Sequence, residues 1–563
     1  MKMAKKYCIG LDFGTLSARA ALVSVETGEE TASLMYTYRN AVIDNVLPES
    51  NVKILPDCAF QDPQDYLDAL TILLSGIWKK ANVDPVDIIG IGINFTSCTL
   101  VSLDQNMEPM CFNPKYRKDP QSWVKLWKHH GAQAEADRIN QIAKNRNEAF
   151  LHRYGGQTSS EWMFAKALET LNKSPSLYQE IYCFMEAGDW LVYQLTGNVK
   201  KSTVFAGYKG FWHESDGYPS ADFFKAVHPD FECVVKEKIR FEDKLYRPGT
   251  FAGTITAQIA EKTGLCLNTC VSVSVIDGHA AVPAVGMKEE NAMLLVMGTS
   301  LCHMLVSEKY MLVDGICGVV KDGLLPGFYG YEAGQPAVGD MLAWFVSTMV
   351  NEDYQNEARK KNISVYGLLE EKAAALKVGQ SGCLALDWWN GNRSVLSNSD
   401  LSGMVVGMTL TSKPEEIYRA LIEAAAFGSR RILDEFAGEG IHIDKVYACG
   451  GLSKKSPFIV QVFSDILGCP IHVTDSDQTA ALGSAMFAAV AAGEQNGGYG
   501  TLFEAINKMK SKDKCIYTPQ EDNREVYNLL YEQYRVLHDY FGKINCETMP
   551  LLKKLRANCM VQK

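Results

Sequence analysis

The sequence predicts an α/β protein made of two related domains, and three observations predict it. Short β-branched runs alternate with longer helical patterns, the mark of α/β architecture. At 563 residues the chain exceeds what a single core supports, so two domains or more are expected. A short pattern also recurs about half a chain apart. Phe13-Gly14-Thr15-Leu16-Ser17 and Met297-Gly298-Thr299-Ser300-Leu301 each follow a strand-like run and lead into a second apolar run. Two ordinary hairpins matching by coincidence would look the same.

Apolar runs bounded by Gly, Asp or Asn place strands at Tyr7–Phe13, Arg19–Val25, Asp87–Asn94, Val271–Ile276, Met293–Met297 and Lys445–Gly450. Helical patterns cover Tyr66–Ala81 and Glu415–Phe436. The second has a start signal: Ser412 as N-cap, Pro414 in the first turn and Glu415 three residues after the cap. Trp123 to His130 is expected to form an amphipathic helix with Trp123 and Trp127 at i and i+4. Gly493 to Gly500 is a loop, and a second helix start is placed near Ser456-Pro457. The domain junction is expected near 286–291, giving domains of 1–288 and 289–563.

Composition narrows the function classes. Apolar residues are 47%, charged residues 22% and the net charge is −10. That balance lacks the electrostatic footprint of a nucleic-acid binder, and Lys553, Lys554 and Arg556 read as a solvated tail. No signal-length apolar segment opens the chain and no run of 18 apolar residues occurs, so no membrane association is expected. The 16 cysteines contain no CxxC pair and no histidines at zinc-ligand spacing, which reads as reduced, buried thiols in a cytoplasmic protein.

Four segments could carry chemistry. In Gly10-Leu11-Asp12-Phe13-Gly14-Thr15 a carboxylate at a strand end precedes a Gly-Thr turn. Glycine lets backbone approach a phosphate, and Asp12 could hold Mg²⁺ through water. Alone, the segment is equally an ordinary hairpin. Gly298 and Thr299 would form a second such clamp. Asp277 follows the strand Val271–Ile276 at the place where open α/β sheets bind ligands, and could accept a proton from an attacking hydroxyl. A helix N-cap is the plainer reading of that Asp. Gly450-Gly451 could let a flat nucleotide ring lie on the backbone, or could be a simple strand–turn–helix link.

Together, Gly10 to Thr15, Asp277, Met297 to Ser300 and Ala448 to Gly451 resemble the FGGY carbohydrate kinases, over about residues 6 to 545. Asn94 to Thr99, Ser122 to His130, Ala206 to Lys209 and Trp388 to Ser394 narrow the resemblance to the family's ribulose-phosphorylating branch. The resemblance implies two ribonuclease H-like domains of the actin/hexokinase-like superfamily around a central cleft. It implies a sugar-binding domain over 1–288 and an ATP-binding domain over 289–563. The cofactors implied are ATP and Mg²⁺, with Asp277 as catalytic base and Asp12 as the metal-linked carboxylate. Ser97, Lys209, Asp277 and Glu332 match ketose contacts, and Gly14, Thr15, Gly298, Thr299, Gly450 and Gly451 match nucleotide contacts. Serine at 97, where a residue such as alanine is expected, bears on substrate breadth. The implied reaction is ATP-dependent phosphorylation of L-ribulose at O5 in L-arabinose breakdown. Its alternatives are a sibling kinase for xylulose, glycerol or a pentitol, and a non-catalytic ATP switch of the actin or Hsp70 type. The expected partner is a small ketopentose, with no nucleic acid and no membrane, and with room for a homodimer.

Overall fold

The computed structural model describes residues 5–240 and 244–561. The chain divides into two compact units: Met1–Lys288 with Gly318–Gly330 and Ser476–Ser511, and Glu289–Cys317 with Tyr331–Asp475 and Lys512–Lys563.

In the first unit β1 (Tyr7–Phe13), β2 (Ser17–Ser24) and β3 (Glu30–Thr37) form an antiparallel meander. On the other side of β1 lies β4 (Ile88–Phe95), parallel to it. Beyond come β5 (Phe251–Thr254), β6 (Cys270–Ser272) and β7 (Val275–Ile276). Both β6 and β7 run parallel to β4, and β5 runs antiparallel to β6. Residues of β1 and β4 are buried on both faces, which explains their nearly unbroken apolar character. The single strand expected at Val271–Ile276 is two. The pairing with β4 lapses at Val273 and Ser274, where Val273 N–H bonds the Thr250 carbonyl (2.9 Å) and Ser274 Oγ bonds Asp189 (2.6 Å).

The helix Thr479–Ala492 covers this sheet. It comes so close that glycine is the only residue the sheet can present. A Cβ on Gly10 would lie 1.7 Å from the Ala481 carbonyl oxygen, and one on Gly92 would lie 1.9 Å from that of Ser484. On the helix, a Cβ at Gly483 would lie 1.7 Å from the Ala280 carbonyl oxygen. Asn94 Nδ2 donates to Ser484 Oγ at 2.9 Å inside the same contact.

Trp123 to His130 does not form the expected helix. Val124–Lys125 is a strand between Phe60–Gln61 and Leu100–Leu103, and the residues after it are turn and loop. A buried ion cluster decides this. Lys125 Nζ lies 2.7 Å from the Glu169 carboxylate and also donates to the Lys166 carbonyl and Thr170 Oγ1, so its side chain must point inward. Periodicity yields to that tertiary constraint. His129 Nδ1 accepts the Ala59 N–H (3.2 Å), so Nε2 carries the proton it shares with Glu169 (2.9 Å). Lys125 and Lys173 neutralise that carboxylate. Together with Cys58 the cluster is therefore an ion-pair network, and the protonated Nε2 cannot ligate a metal.

From its hairpin to the far edge the second unit repeats the strand directions of the first. The hairpin β8 (Ala292–Met297) and β9 (Leu301–Ser307) is flanked by β10 (Tyr329–Gln335). On its other side β11 (Lys445–Cys449) and β12 (Ile471–Thr474) run parallel to β8, and β13 (Asp513–Tyr517) closes the edge antiparallel. The long helix is Pro414–Gly438, and its cap is one residue later than expected. Lys413 N–H bonds Glu416 Oε2 (2.8 Å), whereas Ser412 Oγ accepts the Thr409 N–H and so belongs to the preceding turn.

Candidate active site

Asp12 and Asp277 stand at the same ends of β1 and β7, which flank β4 and run parallel to it. Asp12 pairs with Asn94 across β1 and β4, and Asn94 pairs with Val275 across β4 and β7, two residues before Asp277. These are the carboxyl ends of the strands, where open α/β sheets bind ligands. The helix Asp277–Ala284 starts at Asp277 itself, with Ile276 in the cap position. Asp277 Oδ1 accepts the N–H of Gly278 at 2.7 Å, and Asp277 is the first residue of the helix rather than its cap.

Both carboxylates are half-buried. Burial pushes Asp12 up to about 6, with Arg19 pulling it down. Burial, and then the charge of Asp12, push Asp277 up to about 6, against the Gly278 N–H, Lys209 and His279. Two oxygen-rich anions that disfavour each other's charge suit a hard divalent cation such as Mg²⁺.

Lys209 ends the helix Thr203–Lys209, and its Nζ donates to Ser97 Oγ at 3.1 Å. Ser97 is buried in the exit from β4, which Thr96 ties to β1 through its N–H to the Phe13 carbonyl (3.3 Å). The first unit thus gathers Asp12, Ser97, Lys209 and Asp277. Its hairpin turn is closed by Gly14 N–H to the Ser17 carbonyl (3.0 Å), and Thr15 Oγ1 accepts the indole N–H of Trp127 (3.0 Å). Trp127 escaped the sequence reading, because a Trp–Trp pair at i and i+4 looks like one face of a helix.

In the second unit the Gly298 N–H bonds the Ser300 carbonyl (3.0 Å), a tight turn like the first. The helix Gly339–Met349 opens against it, with Val338 N–H on the Thr299 carbonyl (2.9 Å) and Gly339 N–H on that of Gly298 (3.2 Å). Gly339 was also missed; a Cβ there would lie 2.6 Å from the Gly298 oxygen. Gly450 has φ +95°, and a Cβ on it would meet the Met297 oxygen at 2.5 Å. Backbone conformation and close packing therefore require that glycine. Glu332 lies buried on β10, in the second unit, while Ser97, Lys209 and Asp277 belong to the first.

Three glycines have no such packing reason. A Cβ on Gly14 would reach only the Ser17 oxygen at 3.4 Å, one on Gly298 only the Ser300 oxygen at 3.7 Å, and one on Gly451 nothing within 4 Å. Bare backbone without a packing cause fits the close approach of a phosphate or a flat ring. These residues suit a nucleotide.

Comparison with known proteins agrees. The N-terminal domain of the FGGY family of carbohydrate kinases matches residues 7–284, and the C-terminal domain of that family matches 293–492. The chain is 47% identical to the ribulokinase of Geobacillus thermodenitrificans, over 100% of this chain and 99% of that protein. It is 48% identical to the ribulokinase of Anoxybacillus flavithermus, over 98% and 97%. Among solved structures, gluconate kinase from Lactobacillus acidophilus superposes with a TM-score of 0.79 at 19% identity, covering 96% of this chain and 99% of that one. Xylulose kinase from Rhodospirillum rubrum gives 0.77 at 21% identity, covering 96% and 99%. With two sheet-bearing units in the two-domain actin/hexokinase-like fold and both family domains matched, the chain belongs to the FGGY family of carbohydrate kinases and is a phosphotransferase.

Proposed function

We propose that the chain transfers the γ-phosphate of ATP to O5 of L-ribulose. The observation that carries the reading is the Asp277 carboxylate beside Asp12 and Lys209 at the carboxyl ends of the sheet. The ribulokinases that match along nearly their whole length support ribulose as the acceptor. Residues 1–288 then supply most of the sugar site and the first phosphate hairpin, and 289–563 supply the ATP site. The enzyme works in the cytoplasm, with a homodimer as its candidate assembly. No helix among the described residues is long and apolar enough to cross a membrane.

Phosphoryl transfer asks a protein mainly for positioning and charge neutralisation. Asp277 orients the terminal hydroxyl of the ketose and takes its proton. Lys209, with Ser97, and Glu332 hold the remaining hydroxyls. The turns at Gly14-Thr15 and Gly298-Thr299 offer N–H and hydroxyl donors to phosphate oxygens, and Gly450-Gly451 lie under the nucleotide. Asp12 would hold Mg²⁺, which when bound neutralises the phosphate charge. The test is ADP release with L-ribulose, D-ribulose, D-xylulose, ribitol, L-arabitol, glycerol and no sugar. Fastest turnover on L-ribulose, with phosphate on O5, is the expected result. A different preferred sugar would move the chain to a sibling activity, and sugar-independent hydrolysis would sink the kinase reading.

Two further results are expected. Asp277 works as a base only when ionised, and its carboxyl is pushed up to about 6. The ratio kcat/KM should therefore be level above about pH 7 and fall as pH drops through about 6, as the free enzyme's base is protonated. Because Asp12 is raised to the same range, the apparent value belongs to the pair. A profile flat down to pH 5 would remove Asp277 from the role. Second, Gly298→Ala should leave the melting temperature unchanged, since its Cβ meets nothing closer than 3.7 Å. The methyl group should nonetheless raise KM for ATP roughly tenfold, about the worth of one good hydrogen bond. A lowered melting temperature with unchanged KM would assign Gly298 to the fold instead.

A further inference from the structure

We infer that Gln61 is a positioning residue that sets the polarity of the Thr15 turn, so that the turn presents donors to a phosphate. The inference rests on the reading of Gly14-Thr15 as a phosphate clamp and extends it to a residue outside that motif. Gln61 is 1% exposed, at the end of the short strand Phe60–Gln61. Its Nε2 donates to the Thr15 carbonyl at 2.7 Å, across 46 residues of sequence. Its Oε1 accepts the hydroxyl of Tyr66 at 2.6 Å, and Tyr66 is fully buried in the helix Pro63–Ala81. The Thr15 carbonyl can only accept, so it takes the NH₂ end of the amide, and the Tyr66 hydroxyl, which can donate or accept, then donates to Oε1. The network itself thus selects the orientation of Gln61.

Two consequences follow from elementary geometry. A trans peptide holds its C=O and N–H on opposite sides. Holding the Thr15 carbonyl against Gln61 therefore aims the N–H of Leu16 away from Gln61. The second consequence concerns the hydroxyl. An indole nitrogen can only donate, so Thr15 Oγ1 is the acceptor of the 3.0 Å bond from Trp127. That leaves the hydroxyl's own proton for an acceptor elsewhere. With the Thr15 carbonyl held by Gln61 and one hydroxyl lone pair by Trp127, the Leu16 N–H and the Thr15 hydroxyl proton are the donors the turn can offer. A phosphate oxygen is the acceptor such a turn recognises.

The test uses the full-length protein and measures ADP binding by calorimetry, KM for ribulose and thermal stability. Gln61→Glu keeps the shape but sets an acceptor against a carbonyl, and should weaken ADP binding about tenfold or more. KM for ribulose should stay within about twofold, a split that general loosening would not produce. If burying the carboxylate prevents folding, Tyr66→Phe serves in its place. It removes the donor that anchors Gln61 Oε1, loosening the amide against the Thr15 carbonyl, and should weaken ADP binding about threefold, still without touching KM for ribulose. Unchanged ADP affinity in folded variants, or equal losses of ADP and ribulose affinity, would overturn the role of Gln61. If wild-type protein binds no ADP, the phosphate-clamp reading fails and this inference with it. If wild type binds ADP and the variants bind it equally well, only the inference fails.

Discussion

Asp277→Asn is expected to lower kcat by roughly 10²–10⁴-fold, the usual range for loss of a general base. The substitution keeps the size of the side chain and an oxygen for the Gly278 N–H. It removes a charge that the fold disfavours, since burial and Asp12 both raise the Asp277 carboxyl above its ordinary value. A carboxyl with a raised folded value carries a stability cost at pH values where it is ionised, and asparagine removes that cost. The melting temperature at pH 7 should therefore hold or rise while turnover collapses. This opposition separates a catalytic role from a structural one. A variant with near-normal turnover would remove Asp277 from the chemistry, and one that is both inactive and unfolded would assign it to the fold.

Gly10→Ala is expected to be strongly destabilising although it adds a single methyl. The added carbon would lie 1.7 Å from the carbonyl oxygen of Ala481, 2.6 Å from that residue's carbonyl carbon and 3.0 Å from the backbone nitrogen of Ala485. All three are backbone atoms of one helix, so no rotamer change relieves the clash. The helix must lift off β1, losing the buried Asn94–Ser484 bond with it. Overpacking in a close-packed core costs about 1–3 kcal/mol, more where backbone has to move, and the upper end applies here. Chemical denaturation of the variant against wild type measures it. Gly14→Ala, whose Cβ would stand 3.4 Å from its nearest neighbour, is the control and should cost little stability. Equal stability of wild type and Gly10→Ala would mean that the helix does not seat on the sheet as described.

The two glycines of one short motif thus have different causes. Gly10 and Gly14 are four residues apart and indistinguishable as letters. The first is demanded by a helix near the other end of the chain, the second by no packing contact. The same holds for Gly450, which packing requires, and Gly451, which it does not. A sequence reading that offers Gly14, Gly450 and Gly451 alike to a nucleotide does not see that packing by itself already requires Gly450.

By itself the sequence determined the elements whose causes are local. The strands Tyr7–Phe13 and Ala292–Met297, the helix start at Ser456-Pro457 and the repeated Gly-Thr turns follow from β-branched runs, capping residues and glycine, which act within a few residues. Asp277 at a strand-to-helix junction was legible for the same reason. Tertiary structure alone decided what depends on groups distant in the chain. It drew Lys125 into a buried ion cluster and so made Trp123 to His130 strand and loop instead of helix. It returned the helix Thr479–Ala492 to the first unit, and it set Gln61 and Trp127 on the Thr15 turn. The physical reason is the same in each case: a buried charge or polar group must find its partner and a close-packed helix must find a surface without side chains, and local propensities of a few tenths of a kcal/mol per residue cannot resist either demand.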